Sequence, residues 1–168
     1  MPSFSFVLYD SALFMASAAG DIVLYQVAEG GDSTHVKTYT NMRGAGQLPA
    51  SESLLVKKLG VWLDKNVVAA DAQDMWINSY IEIEVANRTV LEIPLSLCAM
   101  GNGFGGVIAQ TSAADEAIIG KLGDGFTLDI PILINGGTNF KVIVHQGTDV
   151  AADSTTVKVA LLGDLSIP

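Results

Sequence analysis

The sequence predicts an all-β domain, an antiparallel sandwich or barrel of about eight strands with one or two short helices. Apolar and polar residues alternate with a period of two along most of the chain, and short turns rich in glycine, asparagine and aspartate separate several of these runs. Only two segments break the alternation in favour of helix. No repeat, low-complexity tract or linker divides the 168 residues, a length that suits one domain with its own core.

The clearest alternation is YIEIEVANRTVLEIPLSL, residues 80–97, which predicts two half-buried strands joined around Asn87. A two-residue turn at Asn87 and Arg88 would place apolar and acidic side chains on the same face. We therefore expect a three-residue loop, which keeps the apolar side chains together. The predicted pairs are Val85 with Leu91, Ile83 with Ile93 and Ile81 with Leu95.

This register places Glu84 opposite Glu92 on the outer surface. Like charges that face each other across a strand pair are destabilising. The two carboxylates therefore either splay apart into solvent or are relieved by a cation or by a Lys or Arg of a partner. The sequence leaves both alternatives open, and the solvated pair is the simpler one.

The same alternation recurs in GFTLDIPILINGGTNFKVIVHQ, residues 125–146. Apolar residues share one face before a turn at 135–137 and a matching face after it, so we predict a second hairpin. Lys141, Ile143 and His145 fall on its outer face. The inward residues are predicted to be Phe126, Leu128, Ile130, Ile132 and Ile134 before the turn, and Phe140, Val142 and Val144 after it.

Four further strands are predicted at residues 21–27, 35–40, 53–63 and 155–165. In the third of these, Lys57 interrupts an otherwise apolar face. A charged residue at an inward position indicates a bulge or a position at the rim of the sheet.

Two segments favour short helices: VAADAQDMWIN, residues 68–78, and QTSAADEAIIGKL, residues 110–122. The first would cover one end of the core, and the second begins with residues suited to a helix N-cap. The residues expected to cover the core are Met75, Trp76 or both, and the expected cap is Thr111 or Ser112.

We expect residues 1–20 to form an N-terminal arm or the first strand, and residues 21–168 to form the single domain. The start of the chain is apolar and ends in small residues, as signal peptides do. It lacks a positive n-region, however, and Asp10 interrupts the apolar run. No other apolar run approaches the roughly 20 residues that span a bilayer. We therefore expect neither a cleaved signal nor an integral membrane protein.

The composition predicts a surface that other subunits cover. The formal net charge of -9 disfavours a basic groove for nucleic acid. Hydrophobic residues make up 49% of the chain and charged residues only 16%, against about 25% charged residues in typical soluble domains. A monomer with so few surface charges would be poorly protected from association. A compact β-domain with a surface rich in Ser, Thr and Asn is the alternative.

The segment GNGFGG carries Gly101, Gly103 and Gly106 in the G-x-G-x-x-G spacing of a dinucleotide-binding turn. Such a site needs parallel strands joined by a crossover helix, whereas the strand entering this segment is predicted to be one arm of an antiparallel hairpin. Asp124 lies at the distance of the ribose-binding acid, but in a turn. The glycines therefore predict a long mobile loop, and no cofactor is expected.

No catalytic, cofactor-binding or metal-ligating residue is predicted, and we expect the protein not to be an enzyme. The sequence contains no G-x-S-x-G, H-E-x-x-H or Walker motif. His35 and His145 have no partner ligands nearby in sequence, and Cys98 is expected to be a small buried thiol. A calcium site would need a spaced ligand set, which is missing around the scattered carboxylates Asp149, Asp153 and Asp164.

Three stretches resemble the jelly-roll capsid proteins of tailless icosahedral viruses, especially the single-jelly-roll type of membrane-containing bacterial and archaeal viruses. They are QLPASESLLVKKLGVWL, then YIEIEVANRTVLEIPLSLCAMGNGFGG after a short apolar helix, and FTLDIPILINGGTNFKVIVHQ. The shared order is a strand led by Leu-Pro, an E-x-P strand with a Gly-rich loop, and an I-P strand hairpin. The resemblance covers about residues 36–162 and implies a single jelly roll. Its motifs are structural, so no functional residue carries over.

The resemblance implies a viral structural protein, a capsid subunit that self-associates into capsomers and builds an icosahedral shell. Such a subunit is made in the host cytoplasm and located in the virion. A second capsid protein and an internal membrane are further partners that the resemblance allows, with no direct contact to nucleic acid. Outward apolar residues such as Leu133 and Ile143 would meet neighbours, and Pro94 and Pro131 would help to prevent uncontrolled edge pairing.

A carbohydrate-binding sandwich is the alternative function, since lectin-like modules share this architecture. It needs exposed aromatic side chains in a line, and only Trp62 and Tyr80 are candidates on outward faces. A sandwich-fold enzyme is a further alternative. It would require a metal ion, or a pocket that joins a histidine to carboxylates.

Overall fold

The computed structural model of the chain describes residues 3–14, 19–63, 69–104, 108–110, 116–118, 122–147 and 155–167. Most of these residues lie in strands, and none of the helices among them is long and apolar enough to cross a membrane. In chain order the elements are β1 (Ser3–Phe14), β2 (Gly20–Leu24), β3 (Ser53–Leu63), α1 (Ala69–Asn78), β4 (Ser79–Val85), β5 (Arg88–Pro94), a 3-10 turn (Leu95–Cys98), β6 (Met100–Phe104), β7 (Ile108–Gln110), β8 (Glu116–Ile118), β9 (Leu122–Asp124), β10 (Phe126–Asn135), β11 (Phe140–Gln146) and β12 (Thr155–Ser166).

Eight of these strands form two antiparallel four-stranded sheets. The first sheet has the order β1-β12-β3-β10 and the second β2-β11-β4-β5, while β6 with β9 and β7 with β8 form small separate ribbons. Apart from the β4–β5 hairpin, each connection between consecutive long strands passes from one sheet to the other. This order is the jelly roll, in which two Greek keys wrap into a double sheet. The predicted fold class is therefore confirmed.

In strand β3 the side chains that face the core change at Lys57. Leu54 and Val56 are buried before this residue and Leu59 and Val61 are buried after it, so the inward positions change from even to odd numbers. Lys57 is exposed, and both neighbouring strands shift register beside it. One extra residue in a strand reverses the alternation of all side chains that follow. Of the two alternatives predicted for Lys57, a bulge or a position at the rim, the structure shows the bulge.

The β4–β5 hairpin forms, but the three-residue loop predicted for it is wrong. The turn consists of Ala86 and Asn87, whose positive φ angles of 53° and 60° are those of a type I′ turn. A bulge at Val90 then restores the parity that the alternation requires. Strand β5 ends at Pro94, so the predicted strand positions 95 and 97 lie in the 3-10 turn. The observed pairs are Ile81 with Ile93 and Ile83 with Leu91.

Strands β10 and β11 do not form the predicted second hairpin, because they belong to opposite sheets. The turn at Gly136 and Gly137 carries the chain from one sheet to the other. A Cβ on Gly136 would lie 2.2 Å from the carbonyl oxygen of Pro49, so only glycine fits there. Two strands that face each other across a core show the same alternation as two neighbours in one sheet. The pattern therefore could not distinguish these arrangements.

Two other predicted elements are wrong. Residues 35–40 form turns and not a strand, and they lie over the edge of β1. Residues 110–122 were expected to be helical, but the described parts are the short strands β7, β8 and β9. The proposed caps Thr111 and Ser112 lie outside the described residues.

The first described residues of the chain form a strand of the first sheet. Residues 3–14 form β1, which pairs with β12 along its whole length. Helix α1 forms as predicted, and its residues Met75 and Trp76 are both buried in the core between the sheets.

Candidate functional site

His145 is the centre of a polar cluster on the outer face of the second sheet. Its Nδ1 lies 2.6 Å from Oδ1 of Asp21 on β2, and its Nε2 lies 2.9 Å from Oε2 of Glu82 on β4. The ring stacks on Tyr80 at a centroid distance of 4.2 Å. Both ring nitrogens face carboxylate oxygens, so the protonated imidazolium satisfies both by donating two hydrogen bonds. No local sequence pattern indicated these partners, which lie 124 and 63 residues away along the chain.

The carboxylates around His145 are paired differently from the prediction. Glu82, and not Glu84, lies opposite Glu92, because the true register differs from the predicted one by two residues. Glu84 instead forms an ion pair with Lys141 on β11, with 3.1 Å between Oε2 and Nζ. Two side chains of the neighbouring strand β11 thus lie beside the hairpin's carboxylates, Lys141 at Glu84 and His145 at Glu82.

Hydrogen bonds to Glu82 stabilise its charged form. The Thr89 hydroxyl donates to one carboxylate oxygen and His145 to the other, and both lower the pKa of Glu82. Desolvation raises the pKa of Tyr80, as do the nearby carboxylates of Glu92, Asp21 and Glu82, so its hydroxyl stays protonated. The cluster joins all four strands of the second sheet. Among the described residues no group of His, Cys, Asp and Glu has the arrangement of a metal site.

Three other residues considered from the sequence lie in the described structure, Cys98, His35 and Asp164. Cys98 is completely buried, and burial raises the pKa of its thiol to about 12, so it is not a thiolate nucleophile. His35 pairs with Asp32 at 2.8 Å within an exposed turn. Asp164 forms an ion pair with Lys57 at 2.6 Å, whereas Asp149 and Asp153 lie outside the described residues.

The glycine segment does not have the geometry of a dinucleotide site. Gly101 and Gly103 lie in β6, which pairs antiparallel with β9, and Asp124 is the last residue of β9. Gly106 lies outside the described residues. A dinucleotide site places the glycines between a strand and the N-terminus of a helix in a parallel crossover, an arrangement that β6 and β9 do not provide.

The side of the sandwich between β1 and β2 is covered by residues 25–52. Asn41 bonds the free edge of β1 through three groups: its Oδ1 accepts the Tyr9 N–H at 2.8 Å, its Nδ2 donates to the Val7 carbonyl at 2.8 Å, and its N–H donates to the Tyr9 carbonyl at 3.2 Å. The Ser11 hydroxyl donates to the Tyr39 carbonyl at 2.8 Å. The edge of β1 is thus paired where these residues meet it.

Asp10 lies buried behind this cover. Its carboxylate accepts the Tyr25 N–H at 2.5 Å and the Ser11 N–H at 3.0 Å. Burial raises the pKa of Asp10 in spite of these bonds. Tyr25 is fully buried too, and its hydroxyl donates to the Val159 carbonyl at 2.8 Å. Together they fix the start of the covering segment to both β1 and β12.

The opposite side, between the edge strands β5 and β10, is an open groove of about 580 Å³ in the described structure. We call this surface the β5–β10 groove. Its lining is mainly apolar and includes Val90, Leu91, Leu128, Ile130, Ile132 and Leu133. Ile130 is 84% exposed, Leu133 50% and Val90 45%. The prediction that Leu133 faces outward is confirmed, but Ile143, which was predicted to be exposed, is only 6% exposed.

The exposure of Ile130 has a structural cause. Thr127 pairs with Lys58 and Ile132 with Val56, so residues 128–131 stand against a single residue of β3. These four residues arch away from the sheet, and Ile130 lies in the arch. The predicted inward position of Ile130 is therefore wrong, since the alternation breaks within the strand.

A second cleft, of about 620 Å³, lies on the outer face of the first sheet and is lined by Trp62 and Tyr39 together with polar side chains. Lys158 beside it donates to the Thr38 carbonyl at 2.6 Å and lies 5.2 Å from the ring centroid of Tyr9. Tyr80, the other aromatic residue predicted to face outward, is exposed on the second sheet. The two predicted aromatic residues thus lie on different sheets and form no line.

Comparison of the chain with protein-family models, curated proteins and solved structures finds no match.

Proposed function

We propose that this chain is a viral structural protein, a capsid subunit that self-associates into capsomers and builds an icosahedral shell. The observation that carries the proposal is a jelly roll with one long side left open and apolar. Jelly rolls recur in viral capsid and lectin domains, and exposed contiguous apolar surface marks a site of association.

The surface of the molecule supports the same proposal. Besides the β5–β10 groove, large hydrophobic side chains are exposed on β1, β2, α1 and the 3-10 turn, which face different directions: Phe4, Val7, Leu13, Val23, Ile77 and Leu97. A subunit of a closed shell needs contacts on several flanks, because each copy meets neighbours around more than one symmetry axis. The low share of charged residues, 16% of the chain, suits a surface that becomes covered in this way.

The proposed mechanism is geometric. Folding presents the same side patches on every copy, and many weak contacts add up to a stable lattice. Pro94 and Pro131 lie exposed on β5 and β10, the edge strands at the open side. Proline has no N–H to offer a neighbouring strand, so contacts through side chains are favoured over open-ended strand pairing. A second capsid protein and an internal membrane are partners in this proposal, while nucleic acid is not contacted directly.

Light scattering across a concentration and salt series, with negative-stain microscopy of the same samples, tests the proposal. We expect capsomers, rings or closed shells whose fraction increases with protein concentration. Because the interfaces are mainly apolar, added salt should not dissolve them. A single monomeric species at every concentration and salt level would contradict self-assembly by the isolated chain.

A carbohydrate-binding module is the second candidate, and the cleft beside Trp62 favours it. Aromatic rings with polar groups around them are suited to sugars, whose faces are apolar and whose edges carry hydroxyl groups. A glycan array probed with purified protein is the test. Specific binding by a stable monomer, lost in Trp62→Ala, would support this candidate over the capsid subunit.

A further inference from the structure

The β5–β10 groove combines a projection and a depression in one patch. Ile130 projects from the arch of β10, and the groove beside it is lined by residues of both edge strands. A surface that contains both shapes can fit a second copy of itself. In a two-fold contact, each residue i of one copy meets residue j of the other, and the reverse contact forms as well.

The charges at the groove have the same self-complementary arrangement. Arg88 lies on the β5 wall and Asp129 on the β10 wall, and both side chains are exposed. Within the described part of the chain neither forms an ion pair or hydrogen bond. A two-fold axis that runs along the groove would bring β5 of one copy against β10 of the other. Arg88 would then meet Asp129 twice, once on each side of the axis.

The edges of the groove disfavour an extended peptide as the occupant. A peptide that adds to a sheet edge needs a row of free backbone donors and acceptors. Each edge strand here carries an exposed proline, Pro94 on β5 and Pro131 on β10, and β10 also arches at residues 128–131. Both features interrupt such a row. The occupant must therefore bind through side chains.

From this geometry we infer that the β5–β10 groove binds the same groove of a second copy, in a two-fold contact centred on Ile130 and flanked by two Arg88–Asp129 pairs. The inference rests on the proposed self-association and names the surface through which one contact forms. It commits to a dimer as the smallest assembling unit, whatever symmetry the larger shell has.

Sedimentation of the full chain over a concentration series is the test, with Ile130→Asp as the first variant. A charge placed at the centre of an apolar contact should weaken the dimer by more than about 30-fold, the effect of losing a hot-spot residue. Because Ile130 is 84% exposed, the variant should keep its thermal transition. Val36→Asp is the matched control, since Val36 is an apolar residue, 45% exposed, in the segment that covers the opposite side of the sandwich.

Charge reversal tests the orientation of the two copies. Arg88→Glu and Asp129→Arg should each weaken the dimer by about 10-fold, because each places like charges together twice. The double variant Arg88→Glu with Asp129→Arg should restore most of the loss at low salt. If each single variant weakens the dimer and the double variant does not regain dimer affinity, the proposed pairing is overturned.

The outcomes separate this inference from the proposed function. If the wild type assembles and Ile130→Asp assembles equally well, the groove is not the contact, and the capsid proposal stands without it. A wild-type chain that stays monomeric at all concentrations overturns the inference. A dimer that depends on Ile130, Arg88 and Asp129 but never gives larger species supports the inference and counts against the shell.

Discussion

The two long sides of this sandwich differ in what lies over their edge strands. Between β1 and β2, residues 25–52 cover the core. Asn41 in this segment forms three hydrogen bonds with backbone groups of β1. Between β5 and β10, apolar side chains line an open groove, and prolines mark both edge strands. On the first side the chain's own segment bonds the edge of β1 and leaves a cleft of about 540 Å³ lined by Leu13, Val23 and Val36. On the second side no described segment of the chain covers the two edge strands. We therefore propose that association is directed to the β5–β10 groove, whose edge strands no described segment of the chain bonds.

The largest stability effect is expected on the covered side, at Asp10. In Asp10→Ala the N–H groups of Tyr25 and Ser11 lose their buried acceptor, which should lower the free energy of unfolding by about 2 kcal/mol. Urea denaturation measures this loss. Asp10→Asn keeps one acceptor oxygen and should lose less. Asp129→Ala, at the exposed aspartate of the β5–β10 groove, should stay within about 0.5 kcal/mol of the wild type. Equal losses at Asp10 and Asp129 would remove the distinction between the two sides.

A smaller effect is expected from Asn41, which forms the cover itself. In Asn41→Ala the side-chain bonds to Tyr9 and Val7 are lost at a partly exposed site where water replaces them. The free energy of unfolding should therefore fall by about 1 kcal/mol. Hydrogen exchange should show faster exchange of the Tyr9 amide. If that amide stays as protected as in the wild type, the cover does not depend on Asn41.

The smallest expected effect is on the pH dependence of stability. It comes from Glu82 on the outer face of the second sheet, away from both long sides of the sandwich. The Thr89 and His145 bonds lower the pKa of Glu82 in the folded state, so the folded state binds this proton less readily than the unfolded chain. The stability that Glu82 contributes is therefore present above its ordinary pKa of 4.5 and is lost as the pH falls through the lower folded value. Glu82→Gln should reduce the acid-induced loss of stability in pH-dependent thermal denaturation. Glu92→Gln, which removes the carboxylate opposite, is the control, and an equal reduction there would contradict a specific role for Glu82.

The sequence allowed the fold class, the bulge at Lys57 and helix α1 to be predicted, because each depends on a local pattern: period-two alternation for the strands, and its interruption for the bulge and the helix. It did not allow the pairing of distant strands to be predicted. The apolar face of β10 is the same whether β11 lies beside it or across the core, and the turn at Ala86 and Asn87 was misplaced because Val90 absorbs the extra residue. Likewise, the cluster around His145 and the β5–β10 groove unite residues that are far apart in sequence.

A cryo-electron microscopy reconstruction of the assembled wild-type particle tests the central claim most directly, since it shows which strands of neighbouring copies meet. The predicted result is a particle in which β5 and β10 of one jelly roll face those of a neighbour across a two-fold axis, with Ile130 buried at the contact. A closed particle in which the β5–β10 groove faces solvent would contradict the claim that the open side directs association.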